Sequence, residues 1–343
     1  MADTTMFQVP ELDPKLRKIA VRVARVAELA VEKVAANFAE PGKFPLAAEK
    51  SLEQILASRF KTLRPDTKKA AAANAINRIN APAAVRARRF GDIASVDLTK
   101  ATAVEAQVRA LPFPAELKLP KDYLSTLTTL HGQVMDSNSP KSSPKQTTNK
   151  LEFRIHEVAC LDETNGFLGS EAGDDEIDLG GFAVDETGEV SKINAFRVGS
   201  EFDDGEKRVY SPPQRFCWFD MTEGKAWPKS YFVTLVLAEA DMGGLPSFLN
   251  DVVDWAKVQL AAYLAESGVG IIAAAVVVVV GWIWDLFASI WEDDIFPLYT
   301  ASAAVRSFDT RWPGDKTYSP LHAVNLGAHG GKYRIEYDWR KFA

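Results

Sequence analysis

The chain has 343 residues and a net charge of −6, and 47% of its residues are hydrophobic and 25% charged. These proportions are typical of a globular protein and argue against general disorder, and the length is sufficient for two domains. The charge is divided unevenly: residues 1–150 contain 24 Lys and Arg against 15 Asp and Glu, and residues 151–343 contain 16 against 31. Opposite charges on the two halves predict either mutual attraction or separate partners.

The first residues are acidic and lack the apolar segment that a secretory signal peptide needs. We therefore expect the protein to be cytoplasmic at synthesis. Action at a target membrane outside the cell would require export without a cleaved signal peptide.

Residues 1–135 are predicted to form an α-helical domain. The clearest element is an amphipathic helix over residues 14–40, where Leu16, Ile19 and Val23 begin an apolar series at steps of three and four. Further helices are expected over residues 46–63 and 65–79, each with an apolar face and a Pro or Gly boundary.

Residues 136–150 are polar, rich in Ser and Pro, and predicted to be a linker. From Leu151 onwards, short segments alternate apolar and polar side chains, most regularly from Tyr333 to Arg340. Residues 151–343 are therefore predicted to form an antiparallel β-sandwich. Together with the helical domain, this places the chain in the α+β class.

The predicted sandwich is interrupted by a helical hairpin at residues 245–292. Its first arm, residues 245–266, has one apolar face, and Ser267-Gly268 can end it. The second arm contains the run from Gly268 to Trp284, in which no charged or amide side chain occurs. A chain in water must bury such a run or place it in lipid.

Two interpretations of this run remain open. It could form the centre of the fold or of a subunit interface, which is the usual fate of apolar runs near this length. It could instead be released into a membrane, where low pH would neutralise the acidic residues that flank it, such as Asp285 and Glu292. The side chains predicted to enter the bilayer are Ile271, Val276, Val278, Val280, Trp282 and Trp284.

Acidic residues cluster at the ends of several predicted strands. Calcium takes six to eight oxygen ligands, and loops at one end of a sandwich could supply them. The alternative is that acidic turns keep the surface well solvated. The predicted calcium ligands are Asp175, Asp203, Asp204 and Asp241.

Signals for catalysis and for nucleic-acid binding are poor. The four histidines are scattered, and the sequence contains neither a G-x-S-x-G elbow nor a P-loop. The basic residues Arg86, Arg88 and Arg89 have no interleaved aromatic side chains. We therefore expect a non-enzymatic protein that does not bind nucleic acid, with a hydrolase of dispersed active-site residues as a third possibility.

Short passages of the second half carry a resemblance to a known kind of domain. They are Cys160–Thr164, Gly173–Ile177, Phe202–Gly205, Leu237–Asp241 and Gly330–Arg334. On these passages, residues 151–241 and 330–340 resemble calcium-binding, C2-like β-sandwiches of poorly characterised bacterial proteins. The resemblance implies calcium-assisted attachment to a membrane or surface, without an enzymatic activity.

These observations lead to two functional hypotheses. The first is a membrane-active protein, of the pore-forming or effector-toxin type, whose hairpin inserts into a lipid membrane with possible assistance from calcium. The second is a structural or assembly subunit, in which hairpins from several copies pack together as a homo-oligomer and oppositely charged halves meet. Dye release from vesicles, or its absence, distinguishes the two.

Overall fold

The computed structural model describes residues 12–47, 51–119, 148–162, 176–200, 202–224, 227–239, 245–265, 272–291, 296–328 and 331–343. Within these ranges the chain forms seven α-helices and two antiparallel sheets of four strands each. The predicted α+β class is therefore confirmed.

Five helices come from the N-terminal part of the chain. The first begins at Pro14 because the Asp13 side chain accepts a hydrogen bond from the Lys15 amide at 2.8 Å, and proline suits the first helical turn. It ends before Pro41-Gly42, as the sequence predicts. The five helices are α1 (Pro14–Ala39), α2 (Leu52–Thr62), α3 (Pro65–Ile79), α4 (Ala83–Phe90) and α5 (Val104–Arg109).

The strands form two sheets with simple antiparallel pairing. They are β1 (Lys150–Asp162), β2 (Ile177–Val184), β3 (Val190–Gly199), β4 (Lys207–Asp220), β5 (Lys229–Glu239), β6 (Tyr299–Val305), β7 (His322–Ala328) and β8 (Gly331–Phe342). Sheet 1 has the order β4-β1-β8-β7, and sheet 2 has the order β3-β2-β5-β6. Strands β3 and β4 are therefore edge strands of different sheets.

Two helices lie in the chain between β5 and β6. They are α6 (Leu245–Ala265) and α7 (Ala273–Trp291), within the range where the sequence predicts two helical arms. The two helices contact each other, and the rings of Phe248 and Phe287 meet at 4.9 Å. The consecutive valines from Val276 to Val280 therefore lie within a helix that packs on its sequence neighbour.

The apolar side chains form two separate cores. The first, which we call the sheet core, contains residues from both sheets; Phe219 of β4 and Tyr231 of β5, for example, have ring centroids 4.8 Å apart. The second, the helical core, combines α1 to α3 and α5 with α6, α7 and side chains of sheet 2 such as Phe182 and Phe232. Sheet 2 thus contributes residues to both cores.

The helical core joins parts of the chain that the sequence places in different domains. Val23 comes from the predicted domain 1–135, and Val278 comes from the predicted domain 151–343. Most of the predicted linker, residues 136–147, lies outside the described residues, and Lys150 begins β1. The division into domains at residues 136–150 stays a prediction.

Candidate functional site

The valine-rich part of α7 is buried throughout. Each of the five residues from Val276 to Val280 is at most 1% exposed, and Trp284 is buried as well. Trp282 is half-buried against the same core. Ile271, the remaining residue predicted to enter a bilayer, lies outside the described residues. The described apolar residues of this run are therefore covered by other parts of the same chain and need no second molecule to shield them from water.

Several elements enclose α7. It contacts α1, α6 and the strands β2 and β5 of sheet 2. The indole of Trp284 donates a hydrogen bond to the Phe296 carbonyl oxygen at 3.1 Å, so its polar atom is also satisfied. In the part of the chain that the structure describes, no helix combines the length and the apolarity needed to cross a bilayer.

A buried ion pair holds α1 to its neighbours. The Lys33 ammonium lies 3.2 Å from a Glu53 carboxylate oxygen of α2, and both side chains are fully buried. Lys33 also donates to the Thr102 carbonyl at 3.1 Å, and Glu53 accepts from the Val104 amide at 3.0 Å. Because each charge has further hydrogen-bond partners, the pair offsets much of its desolvation cost.

A second set of polar contacts joins the N-terminal helices to α6. Arg22 of α1 donates to Asp92 and, at 3.3 Å, to the Tyr263 hydroxyl of α6. Arg109 of α5 donates to the Gln259 side chain of α6 at 3.0 Å. The helices that enclose α7 are therefore held by a few directional contacts as well as by apolar packing.

Glu32 of α1 is a buried carboxylate with weak compensation. It is 1% exposed, and its oxygens lie 3.8 Å from guanidinium nitrogens of Arg78 and Arg86, beyond hydrogen-bond distance. Burial is the largest cause that raises its pKa, to about 7; Glu28 adds to the increase, whereas Arg78, Arg89 and Arg86 oppose it. At neutral pH this group is therefore close to half protonated.

The raised pKa of Glu32 makes a prediction about stability and pH. The folded state binds the Glu32 proton more tightly than the unfolded state does. The stability that this proton contributes is therefore fully present below about pH 4.5 and is lost as the pH rises through about 7. We expect Glu32→Gln to raise the free energy of unfolding at pH 8.5 by about 3 kcal/mol relative to wild type, with little effect at pH 5. Urea unfolding at the two pH values measures this.

Glu116→Gln is the matched control, because Glu116 is exposed and the same atom replacement there should leave stability unchanged within about 0.5 kcal/mol. Equal effects of the two variants, or a Glu32→Gln effect that is larger at pH 5, would contradict the assignment.

The structure brings together acidic residues that the sequence interpretation did not select. Among the described residues, Asp185, Glu189 and Glu223 form a group whose ligand atoms all lie within 4.8 Å of one another. Of the predicted calcium ligands, Asp203 and Asp204 lie between β3 and β4 outside this group, and Asp175 and Asp241 lie outside the described residues. Calcium binding by the predicted set stays a prediction.

The local turn explains how two of the three acids meet. Asp185 Oδ1 accepts hydrogen bonds from the amides of Thr187 at 2.8 Å and Glu189 at 2.9 Å, which closes the turn between β2 and β3. Glu223 follows β4. Its pKa is raised by partial desolvation first and by nearby Asp185 next. Three carboxylates at this spacing attract a cation.

The side chain of Lys229, the first residue of β5, binds the neighbouring loop. The Lys229 side chain is 2% exposed; its ammonium donates to the carbonyls of Met221 at 2.6 Å and of Glu223, and lies 3.2 Å from Glu186. An internal ammonium thus organises the loop that carries Glu223. The sequence signal for the acidic group is the turn Asp185–Glu189, in which Glu-Thr-Gly separates two of its three acids.

Comparison with known proteins gives no match to a family model, to a curated protein or to a solved structure. The resemblance of the second half to C2-like sandwiches therefore stays a prediction.

Proposed function

We propose that this is a non-enzymatic, membrane-active protein that stores α7 inside the helical core and releases α6 and α7 into the apolar part of a bilayer. The observation that carries the proposal is the enclosure of five consecutive, fully buried valines by α1, α6 and sheet 2. A helix satisfies its own backbone hydrogen bonds, so lipid can replace the protein side chains that surround α7.

The composition of α1 is compatible with the replacement of its contacts with α7 by lipid. The buried side of α1 includes Val23 and Val26, whereas Lys15 and Lys18 are exposed. Displacing α1 would uncover the valines of α7 and leave α1 with an apolar face and a basic face, the composition of helices that lie on anionic membranes. Trp282 and Trp284 could then lie at the headgroup level.

The finer architecture that accompanies this proposal is a sandwich of sheets 1 and 2 with α6 and α7 as an inserted hairpin. Support for the sandwich comes from the sheet core, which contains side chains of both sheets. Support for the hairpin comes from the contact between Phe248 and Phe287 on consecutive helices.

Dye release from anionic vesicles at pH 5 and pH 7.5 tests the proposal. We expect release at both values and more at pH 5, because Asp285 and the acidic residues after α7 must be neutral to enter lipid. The stabilisation of the enclosed state by Glu32→Gln grows as the pH rises from about 4.5 and is nearly complete above about 7, so the variant should reduce release at pH 7.5 and have little effect at pH 5. Glu116→Gln should match wild type at both.

The absence of dye release would contradict the proposal. If folded wild-type protein releases no dye at either pH, α7 is a core helix and the membrane function is wrong. The second function predicted from the sequence, an assembly subunit, then gains support if sedimentation shows a large oligomer. In the described structure, however, Val276 to Val280 are covered within one chain and would need the same release to join copies.

A further inference from the structure

A groove lies between the edge strands β3 and β4, away from α7. Its volume is about 620 Å³, and residues 191–196 of β3 and 214–220 of β4 form its walls. Among the described residues, each strand pairs on one side only, β3 with β2 and β4 with β1. Every second residue of an edge strand directs its amide and carbonyl away from the sheet. The groove is therefore lined by backbone groups that can pair with another strand.

The two ends of the groove differ in chemistry. At one end the Phe196 ring contacts Tyr210 and Phe216 and joins the two edges. The other end carries Asp185, Glu189, Glu223 and Asp220. Between the two ends, the walls include half-buried Ile193 and exposed Trp218.

The Lys229 ammonium lies next to the acidic end, where it is bound by the carbonyls of Met221 and Glu223 and lies 3.2 Å from Glu186. Among the described residues, no ion pair involves Asp185, Glu189 or Glu223, whereas the two basic residues in the groove walls are bound elsewhere. Lys192 pairs with Asp254 of α6 at 2.7 Å, and Arg215 pairs with Glu152 of β1 at 2.9 Å. A basic occupant would complement the carboxylates of Asp185, Glu189 and Glu223, which have no ion-pair partner in the described part of the chain.

We propose that this groove binds an extended, basic peptide segment of a partner protein, which pairs with a sheet edge and places a Lys or Arg at the acidic end. Polypeptide is the occupant that uses all three features: backbone edges, apolar side-chain positions and a carboxylate cluster. A single metal ion would use the carboxylates but leave the rest of the 620 Å³ unexplained. The proposal is independent of membrane insertion.

Fluorescence anisotropy with designed octapeptides tests the proposal. The probe is a labelled, terminally blocked peptide in which lysine alternates with valine or threonine, about 26 Å long when extended at about 3.3 Å per residue. Two matched peptides replace lysine by glutamate or carry N-methyl groups on alternate residues, which removes backbone donors and leaves the charge. The lysine peptide should bind one to one, and both matched peptides should bind at least about tenfold more weakly.

Protein variants locate the binding. Glu189→Gln/Glu223→Gln changes two exposed residues and should weaken binding of the lysine peptide by about tenfold or more. Asp162→Asn/Glu206→Gln removes the same charge at the other end of β1 and should leave binding unchanged. Circular dichroism and thermal unfolding check that both variants fold.

Four results would overturn the proposal. Binding that survives N-methylation would show nonspecific charge attraction, and no binding by any octapeptide would exclude strand addition. Calcium binding that Glu189→Gln/Glu223→Gln abolishes, without peptide binding, would assign the cluster to a metal. Concentration-dependent dimers that the same variant dissociates would assign the groove to a second copy of the chain.

Discussion

Val278→Asp is expected to lower the free energy of unfolding by about 4–5 kcal/mol, among the largest effects of a single substitution. Val278 is completely buried at the centre of the valine-rich part of α7. A carboxylate there loses its hydration without gaining a hydrogen-bond partner, so it must stay protonated or the helix must leave the core. Chemical unfolding at pH 7.5, followed by circular dichroism, measures the change.

Val258→Asp is the matched control for this prediction. Val258 belongs to α6 and is 56% exposed, so the same substitution there should change stability by less than about 1 kcal/mol. Should Val278→Asp be as mild as Val258→Asp, the burial of α7 would be wrong. The more conservative Val278→Thr replaces one methyl group by a hydroxyl and should cost about 1–3 kcal/mol, which keeps the comparison possible if the aspartate variant does not fold.

Lys33→Met is expected to cost about 3–5 kcal/mol, because it leaves the Glu53 carboxylate buried without its counter-charge. The long methionine side chain fills a similar volume, so the loss reports mainly the missing charge. Since Lys33 joins α1 to α2 and to the Thr102 carbonyl, this variant should also loosen the layer that encloses α7. Urea unfolding gives the stability, and dye release gives the effect on the enclosed helix.

The double variant Lys33→Met/Glu53→Gln tests the electrostatic origin of that loss. Glutamine is neutral and can still accept the Val104 amide hydrogen bond, so most of the stability should return. Lys43→Met is the exposed control: Lys43 pairs with Glu40 at the surface, and the change should cost no more than about 0.5 kcal/mol. A double variant no more stable than Lys33→Met would contradict this explanation.

Strong periodicity in the sequence predicts most helices and strands of this fold. The apolar series that starts at Leu16 forms α1, and the alternation from Tyr333 to Arg340 lies in β8, between β1 and β7. In both, apolar side chains recur on the side that faces a core, so periodicity is readable, although the structure also buries Leu29–Ala36 of α1 on all sides. Residues 231–238, apolar on both sides, lie in β5, which is central in sheet 2.

Strand β7 was not predicted. Its residues, His322 to Ala328, include two alanines, an asparagine and a glycine, so few side chains mark the buried side. Its position is determined by pairing with β8, where Val324 lies opposite Ile335 and Leu326 opposite Tyr333. Pairing with the next strand along the chain overrides the weak local propensity of this segment, and it cannot be recognised in the segment alone.

The candidate sites were harder to predict than the fold. The acidic group of Asp185, Glu189 and Glu223 depends on the β2–β3 turn and the β4–β5 loop meeting, and these lie more than thirty residues apart in the chain. Acidic residues are frequent in the second half, so composition does not single these three out. The sequence does identify the valine-rich run, but which elements enclose it depends on the tertiary packing of α1, α6 and sheet 2.

Quenching of Trp284 by brominated acyl chains tests the central claim most directly. The fluorescence contribution of Trp284 is the difference between wild type and Trp284→Phe. Trp339, which is buried in the sheet core, is the control, and its contribution is the difference between wild type and Trp339→Phe. If α7 is stored and released, vesicles with brominated lipid at pH 5 should quench the Trp284 contribution and spare that of Trp339. A Trp284 contribution that brominated vesicles leave unchanged at pH 5 and pH 7.5 would show that α7 stays in the core and would contradict the account.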